Sequence, residues 1–317
     1  MEQNKNGAKV KSFILRNNTY LILLVLFIVC SLVSKDFLTL NNLVNICQQY
    51  TGTIVVSIGM LFVILTGGID LSVGAIMGCA GMYSAYFAQS VKGYPAIVAI
   101  LIGLLVGLVF GVFNGFCIAY LKVPAFVGTL GSLSIADSLK FLLTDAKPIP
   151  NLSDSFKTIG GGSFGFIPIP CVIMAVVLII CFTLLYKTRY GRYIYAVGGN
   201  RNAAHVSGIN TKRIICSVYI LTGVLSALAG VIMTARVTSG VTSTGDGYET
   251  DAIAAVVIGG TSLAGGKGRL WGTIVGILIM QFLSTGLDML GVNAYYQMLV
   301  KGFVVIGAVM LDGLSSD

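Results

Sequence analysis

The sequence predicts an all-α polytopic membrane protein of about ten spanning helices, because the chain has the composition of a lipid-dissolved protein and its apolar runs are continuous. Of its 317 residues, 56% are hydrophobic and only 10% charged, against roughly a quarter charged in an ordinary soluble domain. The mean hydropathy is +0.91. Inside a bilayer the backbone must satisfy its own hydrogen bonds, so only helices or a closed barrel can cross. Barrel strands alternate apolar and polar residues, whereas Ile97 to Phe113 and Cys171 to Leu185 are nearly unbroken apolar runs. Helices of about 20 residues therefore account for the pattern.

Spans are expected near 18–34, 43–66, 69–90, 94–121, 124–143, 168–187, 213–235, 249–264, 270–291 and 294–312. The first apolar run is as short as a signal-peptide core, but Ser34, Lys35 and Asp36 follow it where a small-residue cleavage site would stand, so it reads as an uncleaved helix. The eighth run is short and glycine-rich, the profile of a half-helix or re-entrant element, which a membrane tolerates only where protein or water surrounds it.

The formal charge of +8 would suggest nucleic acid in a soluble protein, but here it reads as sidedness. With the N-terminus inside, thirteen of the twenty Lys and Arg fall on the cytoplasmic side. They include Lys122, Lys187, Arg189, Arg192, Arg201, Lys212, Arg213, Lys267 and Arg269, with the rest in residues 1–17, a cytoplasmic N-terminal segment. Both termini are then cytoplasmic, and residues 18–312 form a single transmembrane domain. Residues 144–169 carry Pro148, Pro150, Gly160, Gly161, Gly162 and Pro168, which suits a folded extracytoplasmic loop. Residues 188–212 form a cytoplasmic loop, and Asn200 to Ile209 within it fits a two-turn helix capped by an Asn and closed by a Gly.

Several chemistries lack their residues. Gly259 to Gly268 is glycine-rich around Lys267, but Thr261 stands where a phosphate-binding loop needs Gly, and Gly268 where it needs Ser or Thr. ATP hydrolysis therefore belongs to another chain. The one histidine, His205, sits in the inner loop, so neither a nucleophile–base pair nor a metal set is legible, and no cofactor is expected. The seven cysteines stand singly in or beside apolar runs and read as small hydrophobes.

Ionisable residues within spans are costly and need partners. Asp137 and Lys140, three apart, read as a local ion pair. Asp288 and Lys301 read as a pair across the last hairpin, and Asp70 as a carboxylate that caps the next helix or gates the path. Asn45, Gln48 and Gln49, with Thr51 and Ser57, form a polar stripe along the second span, joined by Asn114 and Gln281. Such uncharged groups suit either a path for a hydroxyl-rich solute or interhelical hydrogen bonding. Gly103, Gly107, Gly111 and Gly115, four apart, mark close helix packing.

Two segments carry a family resemblance: Leu65-Thr66-Gly67-Gly68-Ile69-Asp70-Leu71-Ser72-Val73-Gly74 and Gly191-Arg192-Tyr193-Ile194-Tyr195-Ala196-Val197-Gly198-Gly199-Asn200. With Ala203-Ala204, Ser207-Gly208-Ile209 and Tyr248-Glu249 through Gly268, the chain from Phe37 to Asp312 resembles the permease subunits of bacterial monosaccharide ABC importers, most of all those that import ribose. The resemblance implies a bundle similar in plan to the cobalamin-importer permease, in the bacterial inner membrane. Its implied partners are a second permease copy, a cytoplasmic ABC ATPase, an extracytoplasmic sugar-binding protein and a monosaccharide substrate. It also implies that Gly199, Asn200, Ala203, Ala204, Ser207 and Gly208 contact the ATPase, and that Thr238 to Tyr248 helps receive the binding protein. At Arg201, where such permeases often carry an acidic residue, this chain is basic. An ion-coupled secondary transporter is the alternative, favoured by the short eighth span, but its carboxylates would have to sit central in the membrane.

Overall fold

The computed structural model describes residues 18–33 and 37–316; residues 1–17, expected as a cytoplasmic segment, lie outside the described residues. Its helices are α1 (Asn18–Val33), α2 (Leu40–Leu65), α3 (Val73–Ala88), α4 (Ala96–Ala119), α5 (Ala125–Leu142), α6 (Asp154–Gly161), α7 (Ile169–Lys187), α8 (Arg189–Gly199), α9 (Arg201–Val206), α10 (Thr211–Val237), α11 (Tyr248–Ile258), α12 (Leu270–Met289) and α13 (Ala294–Ser316). A two-residue hairpin, β1 (Ser163–Phe164) with β2 (Ile167–Pro168), lies in the loop before α7. The chain is thus an all-α polytopic membrane bundle. Among the described residues six helices, α2, α4, α5, α7, α10 and α12, are long and apolar enough to cross a membrane, and α1 and α3 are shorter apolar helices.

Helix α10 is the hub, packed against α2, α3 and α4. The glycine ladder of α4 explains the closeness: a methyl group added at Gly107 would stand 2.3 Å from the Gly223 carbonyl oxygen. Without side chains between them the two backbones touch, which replaces the hydrophobic drive that lipid cannot supply. The opposite face of α4 presents Ile97, Leu101, Leu105, Val109 and Phe113 outward, a stripe suited to acyl chains. Helix α1 lies against α12, where Phe27, Phe37 and Phe282 meet edge-on or tilted with centroids 5.6 to 6.0 Å apart.

At α11 the bundle departs from a simple up-and-down plan. Its 11 residues reach about 16 Å, half the hydrocarbon thickness. The segment before it, residues 238–247, runs inward between helices, so that Gly245 touches Gly74 and Thr244 touches Gly78 at the start of α3. Gly245 (φ +94°) and Gly247 (φ +82°) supply the left-handed turns this path requires. The segment is mixed, with Gly240 and Gly245 buried and Thr238, Ser243, Asp246 and Gly247 exposed, and it is pinned where Ile149 and Gly240 exchange backbone hydrogen bonds of 2.8 and 2.9 Å.

Candidate coupling loop and translocation face

The loop after α7 is built from caps. The Thr188 hydroxyl accepts from Gly191 N at 3.4 Å to start α8. Asn200 Oδ1 accepts from Ala203 N at 2.9 Å to start α9, and Asn210 Oδ1 accepts from Arg213 N at 3.1 Å to start α10. Gly208, at φ +83°, closes α9. Within the named set, Asn200 and Gly208 thus shape the helix, and Ser207 returns its hydroxyl to the Ala203 carbonyl at 2.9 Å. Ala204 is only 4% exposed and packs into the main core. The rest of the stretch from Arg201 to Gly208 is exposed, Val206 at 87%.

The loop is fastened to the bundle by backbone contact. A methyl group on Gly198 would strike the Leu65 carbonyl oxygen, and Gly266 N donates to that same oxygen at 3.0 Å. Gly199, singled out in the sequence, meets no such crowding. The Tyr195 hydroxyl donates to Gly268 O at 2.9 Å, and the Tyr186 hydroxyl accepts from Leu270 N at 2.8 Å. The end of α8, the end of α2 and the loop before α12 therefore form one block.

Past Leu65 the chain leaves helix geometry through Thr66, Gly67 and Gly68 and resumes at α3. Asp70 Oδ1 accepts the Ser72 amide at 2.9 Å and the Ser72 hydroxyl at 2.5 Å, so Ser72 takes the capping position and Asp70 anchors the turn before it. Asn114 Nδ2 donates to the Ser72 hydroxyl at 2.9 Å, and the Ser132 hydroxyl bonds Asn114 Oδ1. Asn114 is fully buried, with both ends of its amide engaged in joining α3, α4 and α5.

The remaining candidates for a polar path do not converge with it. Asn45 and Gln49 are exposed on the N-terminal half of α2 and Gln48 is half-buried, whereas Gln281 is buried on α12. The groups that do meet near α2 are ones the sequence did not single out for a path. Tyr50 and Thr285 hydroxyls lie 3.0 Å apart, Lys301 Nζ reaches Asp251 Oδ2 at 3.0 Å, and Asp246 and Thr250 stand exposed at the mouth of α11. The expected Asp288–Lys301 pair is not formed. Gln297, one turn before Lys301 on α13, donates instead to Asp288 at 2.6 Å, which leaves Lys301 turned toward α11. Lys140 does bond Asp137 at 2.8 Å, and also Asp246 at 3.2 Å.

Residues 42–309 match the family described as the permease component of the branched-chain amino acid transport system. The chain belongs to this permease family. It is 42% identical over 308 residues to the ribose import permease protein RbsC of Escherichia coli strain K12, covering 95% of each chain. The RbsC protein of Bacillus subtilis strain 168 is 43% identical over 295 residues, 92% of this chain and 91% of the relative. The D-allose transport system permease protein AlsC of Escherichia coli strain K12 is 39% identical over 297 residues, 94% of this chain and 91% of the relative. No solved structure matches significantly.

Proposed function

We propose that this permease is the membrane subunit of an ABC importer in the bacterial inner membrane that passes a monosaccharide, ribose or a similar sugar, inward. The observation that carries this reading is identity of about two residues in five along nearly the whole length of permeases whose names specify ribose. The family description names amino acids, but the full-length relatives specify sugars, and a zwitterion asks for fixed charges of both signs where a sugar asks for neutral hydroxyl partners.

In this reading the basic end of the bundle faces the cytoplasm, as the positive-inside rule requires, with both termini there and ten helices in the membrane. Residues 188–212 couple to a separate ATPase, which supplies the hydrolysis this chain cannot perform. Residues 144–169 face the binding protein. A second permease copy completes the path, and the exposed polar groups Asn45, Gln49, Asp246 and Thr250 support this, since such groups at membrane depth require water or protein rather than lipid. Asn200, Ala203, Ser207 and Gly208 set the shape of the coupling helix, with Ala204 as its anchor. A push on α9 travels through the Gly198–Leu65 contact to the Thr66–Asp70 turn, a rigid route to the start of α3. Two ATP-driven states then open the path first outward and then inward.

Reconstituted vesicles provide the test. Labelled ribose should accumulate only when the chain, its ATPase, ATP and the sugar-binding protein are all present. Accumulation driven by an ion gradient, with this chain alone, would overturn the reading.

A further inference from the structure

Between the coupling loop and the bundle lies a cavity of about 860 Å³. Thr66, Gly67 and Gly68 of the broken α2–α3 junction form one side with Tyr219. Lys122 stands at another side, Arg201 and His205 of α9 at a third, and Lys212 at the start of α10 completes the ring. Three cations line this space, and no Asp or Glu does. None of the three enters an ion pair among the described residues, whereas Lys140, Lys157 and Lys301 all do. The recess is open to solvent and its cations are exposed, but sidedness alone does not gather three of them around one concave volume without counter-charges.

Two further features favour an anion. Asn210 uses its side chain on Arg213 N, so among the described residues the amides of Thr211 and Lys212 have no acceptor at the N-terminus of a 27-residue helix. Lys122 is held in the left-handed region at φ +59°, unfavourable for a residue with a side chain, and this places it at the lip of the cavity. The volume falls in the range of small-molecule sites, and an uncharged sugar would gain little from three ammonium and guanidinium groups.

We infer that this cavity binds a phosphate-bearing anion, the phosphate held by Lys122, Arg201, Lys212 and the first amides of α10. An occupant there would touch both α9 and the α2–α3 junction, and so would hold still the two elements that must move for transport. Resting on the proposed sugar reading, the fitting soluble occupant is the phosphoester made by the kinase-type reaction that consumes an imported sugar, which would make the site a product brake. A lipid headgroup offers the same phosphate chemistry.

The test uses the full chain assembled with its ATPase in nanodiscs of phosphatidylcholine alone, or with phosphatidylglycerol added, and radiolabelled ribose 5-phosphate as the probe. Saturable binding is expected, with ribose competing poorly and with affinity falling about tenfold or more in K122Q/K212Q, whose melting temperature should match the parent. Tight binding that phosphatidylglycerol displaces assigns the site to the headgroup and still supports a phosphate site. Absence of saturable binding in phosphatidylcholine discs, or binding unchanged in K122Q/K212Q, overturns the proposal. So does binding found in discs prepared without the ATPase but lost in the assembled ones, because the cavity would then be the partner's seat. Ribose uptake in the same preparations is scored separately, so failure of the anion site leaves the import reading standing, and the converse also holds.

Discussion

Lys140 on α5 reaches 3.2 Å to Asp246, which lies on the segment that dips into the bundle ahead of α11. The ammonium is only 2% exposed and also bonds Asp137 at 2.8 Å, while the Asp246 side chain remains 66% exposed. One buried cation thus ties this segment, already in backbone contact with α3, to a spanning helix. Replacing Lys140 with Ala should strand Asp137 and lower stability by about 1–3 kcal/mol, a buried-pair loss discounted for the exposure of its partners. K140A combined with D137N should recover part of that loss. Thermal melts of detergent-solubilised variants check this, and a double variant no better than K140A would mean that charge stranding is not the cause.

The coupling helix separates into an anchor and a presented face. Ala204 is 4% exposed and Val206 87%, so a charge at the two positions should act differently. A204E should lower the melting temperature and loosen the loop before any partner is involved. V206E should leave the melt unchanged and weaken co-purification of the ATPase. Equal loss of fold stability in both would contradict the orientation of α9.

The Gly198–Leu65 contact gives a sharper case, since no side chain can move aside to relieve it. G198A should cost both folding yield and uptake, while G199A, where a methyl group meets open space, should retain both. Pulse-labelled membrane yield and vesicle uptake measure the two effects. Comparable losses at both glycines would remove the contact as the transmission point.

Much of the bundle was legible in the sequence because lipid imposes a simple code: apolar runs become helices, and glycines four apart become close crossings, as Gly107 against Gly223 bears out. The capping signature of Asn200 and Gly208 was legible for the same local reason. Pairings between distant elements were not. Nothing near Lys301 in the chain points to Asp251, and the nearer Asp288 is claimed by Gln297, a competitor that hairpin reasoning overlooks. Asn114 fitted either a path or a bond between helices, and its partners were not legible because the hydroxyls that engage it, Ser72 and Ser132, lie 42 and 18 residues away.

Cys47 and Cys171 show how far separation can mislead. Their sulfurs lie 2.7 Å apart, joining the N-terminal half of α2 to the first turn of α7, although they stand 124 positions apart in the chain. Mild oxidation with a small disulfide should therefore remove both thiols together, with two protons and two electrons passing to the oxidant. Intact mass after oxidation should show the Cys47–Cys171 pair two hydrogens lighter with no reagent attached in the parent, and one reagent half bound as a mixed disulfide on Cys47 in C171S. A separate reagent half retained on each of the two cysteines in the oxidised parent would refute the α2–α7 packing.

The pairing of Asp251 with Lys301 joins the short helix α11 to the last helix, α13. Both side chains are about one quarter exposed, so water or a partner subunit reaches the pair and its strength is that of a partly buried bridge. D251N and K301Q should each weaken the fold, because each strands one charge, and the D251K/K301D exchange should recover most of the loss. D288N should behave differently: it keeps an acceptor for Gln297 and leaves Lys301 bonded to Asp251, so its melting temperature should stay near the parent. A double-mutant cycle on melting temperature separates these cases. Coupling of Lys301 to Asp288 rather than to Asp251 would restore the hairpin pair and would place α13 on a different face of α11.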